Sequence, residues 1–95
     1  MEAILYIAAT NEVRPVTPEN GLQFSLEEIQ SFVEGNFEIS SLEEDEEDMV
    51  ILTNEEGKLN GLHYNVHATD IWCKYYGPTD FILGNALVCP RSMVK

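Results

Sequence analysis

Seven apolar residues in succession, 3–9 (Ala-Ile-Leu-Tyr-Ile-Ala-Ala), stand near the start of the chain and end at Thr10, Asn11 and Glu12. The run is rich in strand formers, too short for a helix and uncapped, so it predicts a buried strand. Val13, Pro15 and Val16 continue as a second extended segment. Proline cannot donate to a ladder, which predicts an edge strand hairpinned to the first. Ser25, Leu26, Glu27 and Glu28 then spell a capping box. The Ser25 hydroxyl is placed to accept from the Glu28 amide, and the Glu28 side chain to accept from the Ser25 amide. Phe24 and Ile29 occupy the hydrophobic-staple positions on either side of the cap. Leu26, Ile29 and Val33 recur at helical spacing, so one face is expected on a sheet, with Glu27, Glu28, Gln30 and Glu34 in water. Gly35 is the expected C-terminal stop.

Beyond it, Phe37 and Ile39 alternate with Glu38 and Ser40, the pattern of a half-buried strand. Residues 43–48 are all carboxylates (Glu43, Glu44, Asp45, Glu46, Glu47, Asp48). They repel one another and predict a solvated hairpin loop without the alternating ligands or mid-loop glycine of a calcium loop. Residues 49–53 are apolar up to Thr53 and predict a central strand covered on both faces. Asn65 is a plausible N-cap for a helix over Val66–Tyr76. Its stripe of Ala68, Ile71, Trp72 and Tyr75 is expected to cover the sheet beside the first helix, and Gly77 and Pro78 to end it. Residues 81–88 predict a last strand, in which Gly84 signals a bulge or a close backbone approach. Residues 90–95 read as a loose tail. The expected fold is therefore α+β: one domain over residues 1–95, a mixed or antiparallel sheet of about five strands and two helices, in the order β-β-α-β-β-α-β.

Composition changes the picture in two ways. A chain of 95 residues has a thin core, adequate without staples, and for such a chain self-association into a homo-oligomer is an easy route to further stability. Five Lys and Arg against 17 Asp and Glu give a formal charge of −12. Direct nucleic-acid binding needs clustered cations to neutralise phosphates, and anionic membrane surfaces need the same, so both are excluded as expectations. No apolar run approaches the roughly 20 residues needed to span a bilayer. The N-terminus lacks the basic segment of a signal peptide, so Cys73 and Cys89 are expected as free thiols in a reducing cytoplasm.

Candidate chemistry concentrates in residues 54–65, which hold two glycines, three asparagines and Lys58. Such density marks either a tight strand-to-helix connection, whose shape the fold requires, or a site. Gly57 and Gly61 read as turning points. Amides near them could form an anion-accepting nest, with Lys58 as a point charge and the Asn54, Asn60 and Asn65 side chains offering donors and acceptors. Asn65 would stand at a helix N-terminus, where orphan amides favour a phosphate or carboxylate. Tyr64, Trp72 or Tyr76 could add a stacking face. The candidate ligand-binding residues are thus Asn54, Gly57, Lys58, Asn60, Gly61 and Asn65. His63, His67, Asp70 and Cys73 have metal-ligand identities at near-helical spacing. However, His63 precedes the cap and residue 64 is Tyr where a metalloprotease helix needs Glu, so no metal and no cofactor are assigned. No nucleophile stands beside a base in a recognisable motif, so an enzyme is not expected.

The phrase Asn54, Glu55, Glu56, Gly57, Lys58, Leu59, Asn60, Gly61, Leu62, followed by Asn65, a short helix and the ending Ile82, Leu83, Gly84, Asn85, Ala86, Leu87, resembles the family catalogued as domain of unknown function 3846. The Leu26-to-Gln30 helix ending at Gly35 and the strand around Phe37, Glu38 and Ile39 are similar to it too. The resemblance implies a setting in phages, plasmids and other mobile elements of bacteria, and no activity. Two classes of function follow as expectations. One is a non-enzymatic accessory protein in the host cytoplasm that binds or sequesters a small anionic ligand or nucleotide at residues 54–65. The other is an acidic inhibitor or nucleic-acid mimic that binds a host protein.

Overall fold

The computed structural model describes residues 3–44 and 47–94. Five strands, β1 (Ala3–Ile7), β2 (Glu12–Val16), β3 (Phe37–Glu44), β4 (Glu47–Asn54) and β5 (Ala86–Pro90), alternate with helices α1 (Leu26–Val33) and α2 (Val66–Tyr76) in the expected order. The strands form one sheet in the order β2-β1-β5-β4-β3, and every pairing is antiparallel. Asn11, at φ 60°, turns β1 into β2. The register sets Pro15 opposite Ile4 in an exposed outer strand, where a missing amide does least harm.

Side-chain parity divides the core into two layers. Val50, Leu52, Leu87 and Cys89 point to the face that also buries Phe24 and Ile29 of the α1 region. Ile51, Ala86 and Leu42 point to the other face, against Ala68, Ile71, Trp72 and Tyr75 of α2. Since alternate strand residues face opposite sides, the two helices cover opposite faces of the sheet, and the expectation that α2 lies beside α1 is corrected. It follows that β4 is covered on both sides, with Val50, Ile51 and Leu52 all at 0% exposure, as its unbroken apolar run implied.

The capping box at α1 forms in full: Glu28 N–H donates to Ser25 Oγ (3.1 Å) and Ser25 N–H to Glu28 Oε1 (2.9 Å). Glu28 Oε2 also accepts from Glu19 N–H (2.9 Å), tying the incoming loop to the helix. The buried face is narrower than the periodicity implied. Leu26 remains 54% exposed, because Phe24, ahead of the cap, fills the layer and meets Phe32 edge-on with centroids 5.8 Å apart. The helix ends through two positive-φ residues, Glu34 (φ 66°) and the expected Gly35 (φ 150°). Gly35 N–H closes the turn on Gln30 O (2.9 Å).

Three boundaries differ from expectation. Strands β3 and β4 run on through Glu43↔Asp48 and Glu44↔Glu47, so the acidic run is the end of a hairpin and not a six-residue loop; residues 45–46 lie outside the described residues. Asp48 meets Arg91, whose Nε lies 3.0 Å from both its carboxylate oxygens. The last strand begins at Ala86 and not at residue 81, since residues 81–85 pair only through the bridge Tyr64↔Leu83. The tail is docked: a 3-10 turn at Arg91–Met93 leads to a bridge between Phe24 and Val94, and Phe24 N–H donates to Met93 O (2.7 Å). Met93 and Val94 pack on the α1-side core, so the expectation of a loose tail does not hold for the described residues. Ile39 is 47% exposed, because it lies on the outermost strand of the sheet.

Candidate functional site

The expected turn is built on two asparagines that hold the fold. Asn54 closes β4 at 8% exposure. Its Nδ2 donates to Val33 O (3.0 Å) and Glu34 O (3.3 Å), satisfying carbonyls at the end of α1, and its Oδ1 accepts from Glu56 N–H (2.8 Å). Asn65 is 1% exposed. Its Oδ1 caps α2 by accepting from Ala68 N–H (3.0 Å), and its Nδ2 donates to Tyr6 O (3.0 Å) and Gly84 O (2.9 Å). Both amides are therefore fully committed to backbone groups, a requirement that burial imposes on polar side chains. Asn85, which sequence reasoning did not single out, works the same way between Ala8 N–H and Phe32 O (3.0 Å each).

Between these clamps the chain folds tightly against residues 80–84. Gly61 has φ 64°, the left-handed turn that was expected. Gly57 serves differently: a Cβ there would stand 2.6 Å from the Leu83 carbonyl oxygen, so glycine is required by contact and not by φ. Gly84, at φ 90°, is also closed in, a Cβ there meeting Leu62 Cδ1 at 2.8 Å, a side-chain contact in place of the expected bulge or close backbone approach. Asn65 N–H to Ile82 O (2.9 Å) and Gly84 N–H to His63 O (2.7 Å) join the two loops.

A groove of about 300 Å³ opens where this turn meets residues 80–83 and the α2 side of β3 and β4. Glu38, Glu55, Glu56 and Asp80 supply carboxylates to its lining, Lys58 supplies the cation, and Trp72 and Phe81 supply aromatic surface. Asn54, Gly57 and Lys58 of the predicted site belong to the lining. Asn60 lines a second, polar cavity of about 270 Å³ with Glu34, Asn36 and Glu56, while Gly61 and Asn65 line neither. Lys58 Nζ pairs with the Asp80 carboxylate and lies 4.5 Å from the Phe81 ring centroid. That ammonium, together with the Phe81 N–H (2.8 Å), holds the Asp80 carboxyl below its ordinary value. Trp72 stacks on Tyr76 at 4.4 Å and donates through Nε1 to Thr79 Oγ1 (3.2 Å). Glu38, Asp80 and Phe81 were missed from sequence because they are brought in from outside the 54–65 turn, Glu38 from β3 and the adjacent Asp80 and Phe81 from the loop after α2; only Trp72 carried a signal, as a stacking candidate.

His67 tilts over Tyr6, ring centroids 5.9 Å apart. Among the described residues no group of three or more His, Cys, Asp or Glu side chains converges as a metal site. Burial pushes the Cys89 thiol up to about 11, while Cys73 is part-exposed. Among the described residues no helix is long and apolar enough to cross a membrane.

The family model described as Domain of unknown function (DUF3846) matches residues 1–92. The chain belongs to that family. No curated protein and no solved structure matches it. In this DUF3846 domain the matched span contains all five strands, both helices and every residue of the groove.

Proposed function

We propose that the protein is a non-enzymatic binding module that takes a compact ligand in the groove between the 54–59 turn and residues 80–83. The observation that carries this reading is the lining: a concavity of about 300 Å³ in which aromatic faces and polar groups converge, at the lower end of ligand-pocket volumes of roughly 300 to 1,000 Å³. The ligand's charge differs from the expectation. Four carboxylates line the groove beside one lysine, that lysine is already paired with Asp80, and the Asn54 and Asn65 amides serve the backbone. A cationic or neutral, donor-rich ligand therefore fits better than an anion. The family resemblance supports a setting as an accessory protein of a phage or mobile element in the host cytoplasm.

Native mass spectrometry of freshly purified protein, compared with the denatured spectrum, tests the reading. The expected result is a small mass in excess of an integer number of chains, lost on denaturation and absent from a folded Glu56→Lys variant. The same spectrum returning bare chains in both proteins counts against a retained ligand. It would favour a second reading, a basic segment of a host protein as the occupant, which the net charge of −12 also supports. The intact masses equally report the homo-oligomer that the two outer strands, β2 and β3, would permit.

A further inference from the structure

Lys58 differs from the other polar residues of the turn in what holds it. Asn54 and Asn65 are buried and clamped to backbone, whereas the Lys58 and Asp80 side chains are 52% and 42% exposed at the groove's mouth. An ion pair this open is worth little to the fold, and its removal leaves no buried group unsatisfied. What surrounds the ammonium is nonetheless specific: a carboxylate on one side and the face of Phe81 on the other, 4.5 Å from the centroid. The Tyr64 ring continues that aromatic surface, 6.3 Å from Phe81. A carboxylate beside an aromatic face is the combination that recognises organic cations.

We infer that Asp80 and Phe81 form a subsite for a cationic group of the ligand, and that Lys58 occupies this subsite in the free protein as a displaceable internal cation. The inference rests on the groove reading above and deepens it by naming the ligand class. A guanidinium is the favoured group. Its plane stacks on a ring and its fork engages a carboxylate through two N–H groups at once, whereas an ammonium meets each as a point charge. An arginine-type ligand therefore has an advantage over the resident lysine, and the lysine sets a threshold that weaker cations do not pass.

The test titrates N-acetyl-arginine amide into the full chain, read by calorimetry and by emission of Trp72, the single tryptophan and part of the groove lining. Removing the competitor in Lys58→Ala is expected to tighten binding roughly 3- to 30-fold, the range set by losing an exposed ion pair and a cation–π contact. Lys74→Ala makes the same change in net charge away from the lining and is expected to leave affinity within about twofold of wild type, by the weakness of screened long-range charge effects. Asp80→Asn in the Lys58→Ala background is expected to abolish the gain. All three residues are exposed or part-exposed, and unchanged urea midpoints would verify that the variants fold. A Lys58→Ala affinity no tighter than that of Lys74→Ala overturns the subsite. If wild type binds, Glu56→Gln weakens binding and Lys58→Ala gives no gain, the groove reading stands and this inference falls. If neither wild type nor Lys58→Ala binds the probe, the cationic preference of the groove and the subsite fall together.

Discussion

At the scale of single residues, two of the three asparagines that gave the 54–65 stretch the look of a site, Asn54 and Asn65, prove to be joints. Asn65 answers four backbone needs: its own N–H meets Ile82 O, its Oδ1 caps α2, and its Nδ2 satisfies two carbonyls from β1 and from the loop before β5. Asparagine is selected because the position needs an acceptor toward the helix and a two-hydrogen donor toward the carbonyls. The isosteric change Asn65→Asp keeps the acceptor but turns a carboxylate toward the oxygens of Tyr6 and Gly84. It is expected to destabilise the protein by about 3 kcal/mol, the penalty of unsatisfied buried groups, seen as a lower urea midpoint. A ligand-binding role alone would predict unchanged stability. Glu34 illustrates the opposite case, a residue with no steric suitability for φ 66° held there because Asn54 and the Gln30 carbonyl fix the turn around it.

At the scale of elements, α1 is a helix whose start was legible and whose packing was not. The capping box depends on an ionised Glu28, and hydrogen bonds from the Ser25 and Glu19 amides hold that carboxyl below its ordinary value of 4.5. A depressed folded-state value means that ionisation favours the folded form. The contribution is fully present above pH 4.5 and is lost as pH falls through the lowered folded value. Glu28→Gln is therefore expected to unfold at lower urea than wild type at neutral pH, and the gap between the two is expected to close progressively below pH 4.5. Comparing the two proteins at each pH separates this effect from the relief of self-repulsion that acid brings to a chain of charge −12. A gap constant across the acid range would show that Glu28 contributes nothing through its charge.

At the scale of the whole molecule, the sheet is closed between two helical layers, and the C-terminus completes one of them. Residues after β5 carry the Met93 carbonyl to Phe24 and place Met93 and Val94 on the α1-side core, while Arg91 reaches Asp48 at the end of the β3–β4 hairpin. Deleting residues 91–95 is expected to lower stability by about 3 kcal/mol, the sum of two part-buried apolar side chains and one buried backbone bond. Differential scanning calorimetry would show a lower Tm, whereas a loose tail would leave it unchanged. The groove lies on the other side of the sheet, against α2, so the truncated protein is expected to keep whatever probe affinity the full chain has, provided it is measured well below its Tm.

The sequence by itself determined the elements and their order. Apolar periodicity, the Ser25 to Glu28 box, the Asn65 cap and the Gly77-Pro78 stop are local signals, and local hydrogen bonding and steric preference are enough to realise them. It also marked the 54–65 turn, of which residues 54–59 line the groove, because glycine and asparagine density marks where a backbone must turn and approach its neighbours. Only the tertiary structure decided which sheet face each helix covers, that the tail docks, and that the Asn54 and Asn65 amides serve the fold. It alone brought Asp80 and Phe81 to Lys58, 22 residues apart for the Lys58–Asp80 pair, the juxtaposition on which the proposed cationic preference of the groove rests. Those outcomes depend on pairings between distant segments, and their energy resides in burial and electrostatic fields that no local pattern encodes.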